Sequence, residues 1–124
     1  MGCNYYVIPR LTAELKDKML HALQNDDIAH LSNLIPKELH IGKSSAGYPF
    51  VFDHNNWLYY KSPEELFDFI KGCEIYDDDQ EEMEYEDFMR IIEYKQKYLT
   101  EFYFEKSHYF IQDGYMFSTM TQFS

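Results

Sequence analysis

Glu38-Leu39-His40-Ile41-Gly42-Lys43-Ser44-Ser45-Ala46-Gly47-Tyr48-Pro49-Phe50-Val51-Phe52-Asp53 is the stretch on which the fold class turns. Leu39 and Ile41 alternate with His40, and Tyr48, Phe50 and Phe52 recur at the same period of two, so each half reads as a strand with one apolar face. The run Gly42 to Gly47 between them is expected to be the connecting loop, since turns favour Gly and Ser and exposed tips favour Lys. The same residues support a second reading. Two glycines open unusual backbone angles, and hydroxyls, N–H groups and the Lys43 charge can ring a phosphate or carboxylate. An anion perch of this kind would use His40, Gly42, Lys43, Ser44, Ser45, Gly47 and Tyr48. A nucleotide triphosphatase is excluded: Gly42-Lys43-Ser44 lacks the upstream glycine of a Walker loop, its preceding span being Glu38-Leu39-His40-Ile41.

Outward from this stretch the chain alternates short strands and helices. Asn4 to Ile8 is an opening strand stopped by Pro9. Leu11, Leu15, Met19, Leu20 and Leu23 fall at helical spacing, with Thr12 as cap and Glu14 in the first turn. Asp26 or Asp27 caps a second short helix through Ile28, Leu31 and Leu34, ended by Pro36, so the two make a helical hairpin. Asp53 to Asn56 is a turn by composition and Trp57 to Tyr60 a further strand. Ser62-Pro63-Glu64-Glu65 is a capping box opening a helix with Leu66, Phe67 and Ile70 inside, and Gly72 stops it. Ile75-Tyr76 reads as a short strand, and Tyr85 to about Lys97 as a third substantial helix. Leu99 to Phe104 fits strand or helix. His108 to Gln112, Asp113-Gly114 and Tyr115 to Ser118 form a hairpin with a type I′ turn. The expectation is one α+β domain over residues 1–124: a small antiparallel sheet with three to four helices.

The 124 residues suffice for one domain with a core. Twelve Tyr and ten Phe supply rings that suit both a small core and an interface. The formal charge is −11, and it is unevenly placed. Residues 74–87 hold nine acids and no base, leaving 13 acids against 11 bases elsewhere. A surface of that sign disfavours direct binding to nucleic acid. Cys3 and Cys73 are too few for a disulfide scaffold and fit a reducing cytoplasm. No apolar run is long enough to span a bilayer, no secretory leader is expected, and Tyr6 stands where an acylation signal needs Ser or Thr.

Met1-Gly2-x-Asn4-Tyr5-Tyr6, His40-Ile41-Gly42-Lys43-Ser44-Ser45-Ala46-Gly47 and the terminal Phe123-Ser124 together resemble a family of small uncharacterised phage and prophage proteins. The likeness is close over the first two motifs, loose over the Ser62-Pro63 helix and the Tyr85 to Ile92 helix, and absent from the first helical hairpin. Many relatives carry a Cys-x-x-Cys element, suggestive of zinc, where this chain has Leu11 to Ile35 without a cysteine, so zinc is not carried over. The resemblance implies a phage origin and a compact α+β fold, and no known activity.

Neither catalysis nor a cofactor is called for by any motif. The five histidines lack metal-ligand spacing, and Ser44 and Ser45 have no nucleophile elbow around them. His40 and His54 would converge beside Asp53 if their strands pair, giving a sparse metal or acid–base site; a simply hydrogen-bonded strand histidine is the plainer expectation. The acidic run is a solvated loop and helix start, or an interaction surface; without alternating ligands and a central glycine it is no EF-hand. Carboxylates interleaved with tyrosines are what a basic nucleic-acid groove accepts. The leading expectation is therefore a non-enzymatic phage counter-defence protein, anti-CRISPR-like and cytoplasmic in a bacterial host. It would block a basic channel on a host defence protein with Tyr76, Asp77, Asp78, Asp79, Glu81, Glu82, Glu84 and Tyr85. The alternative is a protein that sequesters an anionic nucleotide signal at the Gly42 to Gly47 loop.

Overall fold

The computed structural model describes residues 2–54, 60–99 and 108–119. Among the described residues, strand β1 (Gly2–Pro9) is an interior strand of a seven-stranded sheet. Across the sheet the order is β5 (Glu82–Met83), β4 (Cys73–Tyr76), β1, β2 (Leu39–Ser45), β3 (Val51–Asp53), β7 (Tyr115–Ser118) and β6 (Tyr109–Gln112). The helices are α1 (Ala13–Gln24), α2 (Ile28–Leu34), α3 (Pro63–Lys71) and α4 (Tyr85–Lys95). The chain is α+β, as expected. Its sheet is wider than expected and mixed, because the β6–β7 hairpin returns to lay β7 parallel to β3. That hairpin turns on Asp113 and Gly114, both at positive φ (52° and 85°), as a type I′ turn requires.

Residues Gly42 to Ser45, expected in a loop, continue β2 instead. Gly and Ser are weak strand formers alone, but β1 supplies partners as far as Gly2↔Ser45, and β3 pairs the opposite edge at Gly42↔Phe52. The turn begins only at Ser45, whose carbonyl accepts from Tyr48 N, with Gly47 at φ 80°. Pro49 cannot donate to a ladder, so β3 starts at Val51 and Tyr48 stays outside the sheet, exposed. The strand expected at Trp57 to Tyr60 lies, apart from buried Tyr60, outside the described residues, as does Thr100 to Phe104.

Alternation divides the sheet into two faces. On the first, Tyr5, Val7, Phe52 and Phe117 meet Leu66 and Ile70 of α3 and Phe88 and Ile92 of α4 in one buried cluster. Ser62 Oγ caps α3 by accepting from Glu65 N, and Glu65 Oε2 reaches back to Lys61 N. Such a cap contributes about 1 kcal/mol. Phe50 lies between Tyr5 and Phe88, with ring centroids 5.6 Å from each, and its ring crosses β2 at Gly42. A Cβ on Gly42 would stand 2.5 Å from Phe50 Cε1 and 2.5 Å from the Val51 carbonyl, so only glycine fits.

With α3 and α4 occupying the core face, α1 and α2 pack on each other. Asp26 at φ 55° reverses the chain between them, and Thr12 and Asp27 cap their starts through Leu15 N and His30 N. The apolar stripe of α1 is not buried. Leu20 and Leu23 are more than half exposed and, with Leu11, Met19, Leu31 and Ile35, line an open apolar groove.

Candidate functional site

The second face of the sheet carries the polar residues of both sequence motifs. Pairing between β1 and β2 shifts register between Tyr5 and Tyr6: Tyr6 faces His40 and Tyr5 faces Gly42, which leaves Ile41 as the extra, buried residue of a bulge. His40 and Lys43 are three apart and would point to opposite sides of a regular strand; the bulge puts both on the second face. There His40 Nδ1 lies 2.8 Å from Asp53 Oδ2, and Nε2 lies 2.8 Å from Asn4 Oδ1. The Tyr6 ring sits 5.3 Å from the imidazole.

Side chains from three adjacent strands are thus tied together by one histidine. Both ring nitrogens are engaged within the protein, whereas a general base needs one turned to its substrate. His40 and Asp53 do come together, as sequence reasoning allowed, but His54 stands edge-on to Phe110 at 5.0 Å. Among the described residues no group of three or more His, Cys, Asp and Glu side chains is placed to hold a metal ion.

The residues proposed as an anion perch are dispersed. Gly42 and Lys43 have strands on both sides, so their backbone groups belong to the ladder. The Lys43 stem lies across Gly2, where a Cβ would stand 2.4 Å from Lys43 Cε. The Ser45 carbonyl accepts 2.6 Å from Nζ of buried Lys95, and burial lowers the affinity of that amine for its proton. Gly47 and Tyr48 project into the exposed turn, while His40 is committed to Asn4 and Asp53.

The acidic run, by contrast, folds into a built structure. Between β4 and β5, Asp77 Oδ1 accepts from the backbone N–H of Asp79 at 2.9 Å and of Glu81 at 3.1 Å. Asp77 N donates to the Glu81 carbonyl, and Gln80 adopts φ 61°. Past Tyr76 the strand no longer pairs with β1, and Asp78 Oδ2 takes over by accepting from Asn4 N at 2.8 Å. Asp79, Glu81 and Glu82 remain exposed at the rim, and Glu84 stands at the N-cap position of α4, with no capping hydrogen bond from its side chain, ahead of half-buried Tyr85.

Tyr6 and Tyr76 are register partners across β1 and β4, so both side chains leave the sheet on its second face. With Ile8, Glu38, Asp77, Asp78 and Gln80 they line a cleft of about 390 Å³. The field inside is negative. The Tyr6 hydroxyl is raised by burial first and then by the charges of Asp78 and Glu38, and a 2.6 Å hydrogen bond to Glu74 pushes Tyr76 up to about 12.

No protein-family model, curated protein or solved structure matches the chain. Of the acidic and tyrosine residues expected to form a binding surface, Tyr76, Asp77 and Asp78 meet in the cleft; Asp79, Glu81 and Glu82 flank it along the hairpin. Tyr85 lines a separate groove with Lys71 and Arg90. Sequence reasoning missed Tyr6, Ile8, Glu38 and Gln80. For Tyr6 a signal was available, since it stands two residues after Asn4 in the opening motif and so shares its face.

Proposed function

We propose that the protein acts by binding and not by catalysis, presenting the β4–β5 edge and its cleft to a basic surface of a partner protein. In the phage setting that the sequence resemblance implies, that partner is a host defence protein whose nucleic-acid channel the acidic, tyrosine-bearing edge blocks. The observation that carries this reading is the pinned turn at Asp77 to Glu81. Its Asp77 and Asp78 carboxylates hold backbone N–H groups within the turn and on β1, so these two charges and the backbone that carries their acidic neighbours are set before a partner arrives. Charges arranged in advance steer association and lose little entropy on binding. An anionic nucleotide would meet repulsion at the same edge.

Capture from host lysate by the tagged chain, repeated with an Asp79→Asn/Glu81→Gln/Glu82→Gln variant, tests this. The variant keeps its fold: the three side chains are exposed, and the Glu82 contact to Arg10, at 3.6 Å, is an exposed pair worth under about 1 kcal/mol. A basic nucleic-acid-binding protein should be retained in stoichiometric amount by the native chain. Retention should fall at high salt and fall further for the variant. Equal retention by both chains at low salt overturns the electrostatic account.

A further inference from the structure

We infer that the Tyr6–Tyr76 cleft is a receptor for a single guanidinium group, the place where one arginine of the partner anchors. The inference rests on the binding reading above and adds to it a discrete site with a stated ligand chemistry. Three observations converge. The cleft is lined by two tyrosines, Tyr6 and Tyr76, which are opposite one another in the antiparallel β1–β4 ladder. Its rim holds Glu38, Asp77 and Asp78, and among the described residues no basic side chain lies within ion-pair distance of any of the three. Its volume of about 390 Å³ is at the small end of ligand sites, room for a side chain with its stem on Ile8.

Each wall selects for the same group. Tyrosine faces attract cations, and a planar guanidinium stacks on a ring where an ammonium only touches it. Carboxylates at the rim offer paired acceptors to the guanidinium fork. Asp77 and Asp78, both lining the cleft, each spend one oxygen on the backbone, Oδ1 on the turn and Oδ2 on Asn4, which fixes their orientation and leaves the other oxygen of each as an acceptor for a ligand. A neutral or anionic group would find no complementary charge there.

The test titrates the full chain with three capped tripeptides, acetyl-Gly-X-Gly-amide with X arginine, citrulline (the neutral isostere of arginine) or lysine, and follows resonances by NMR. Arginine should shift Tyr6, Ile8, Tyr76 and Gln80 most, with lysine at least threefold weaker and citrulline weaker still. Glu38→Gln, at an exposed position ahead of β2, should weaken the arginine peptide severalfold while leaving the spectrum of the free protein in place, and Tyr76→Leu should do the same through loss of a wall. Citrulline shifting the cleft as strongly as arginine, or arginine shifts centred elsewhere, overturns the site. The two readings fail separately. Salt-sensitive capture of a basic protein without arginine binding in the cleft removes the receptor and keeps the acidic edge; arginine binding without such capture keeps the receptor and removes the proposed function.

Discussion

His40 joins Asn4 to Asp53 across three strands, each bond 2.8 Å long, and the backbone N–H of the same Asn4 is held by Asp78 of the acidic turn. The histidine of one sequence motif is thereby connected, through one residue of the other, to the edge of the cleft. Replacing His40 with Ala removes a partner from Asp53, which is only 6% exposed, and from Asn4 together. The expected loss is about 2–3 kcal/mol in urea denaturation, with amide shifts reaching Asp78. A loss under half a kcal/mol with no change at Asp78 would show that the link is idle.

Gly42 is a steric requirement. Gly42→Ala places a methyl against the Phe50 ring and the Val51 carbonyl at 2.5 Å, and the carbonyl belongs to the sheet and cannot swing away. Destabilisation of about 1–3 kcal/mol is expected, and Phe50→Leu in the same chain should recover part of it if the ring is the obstacle. Thermal melts of the two single variants and the double variant decide the matter.

The turn depends on the Asp77 side chain through its oxygen and not through its charge. Asp77→Asn keeps an acceptor for the N–H groups of Asp79 and Glu81, whereas Asp77→Ala keeps none. Hydrogen exchange at Asp79 and Glu81 should therefore be slow in native and Asn chains and faster in the Ala chain, at a cost of about 1–2 kcal/mol.

Stability should fall at alkaline pH. Burial pushes the Cys73 thiol up to about 11 from its ordinary 9.0, and burial likewise raises the hydroxyls of Tyr5 and Tyr60. Between pH 9 and 11 the unfolded chain gives up the Cys73 proton while the folded chain keeps it, so the unfolded state binds fewer protons and the stability that the neutral thiol contributes drains away as pH rises. Denaturation midpoints should be level near neutrality and decline above about pH 9, less steeply in Cys73→Ala. The same burial makes Cys73 the slower thiol toward alkylation at pH 8, with half-buried Cys3 reacting first.

Local chemistry in the sequence determined the elements whose signals are complete within a few residues. Thr12 and Ser62 cap the helices they were expected to cap, Asp27 and not Asp26 caps α2, Gly72 ends α3, and Asp113-Gly114 makes the hairpin turn, because each acts on backbone groups within four or five positions. Tertiary structure alone decided the rest. Gly42 to Ser45 look like a loop until β1 and β3 flank them; the stripe on α1 looks like a core face until α3 and α4 take the sheet. The cleft needs Tyr6, Glu38 and Tyr76 brought together from three strand regions, and the bulge at Ile41 that sets His40 and Lys43 on one face follows from strand pairing. Pairing between distant segments is chosen by global burial, which no local window of sequence contains.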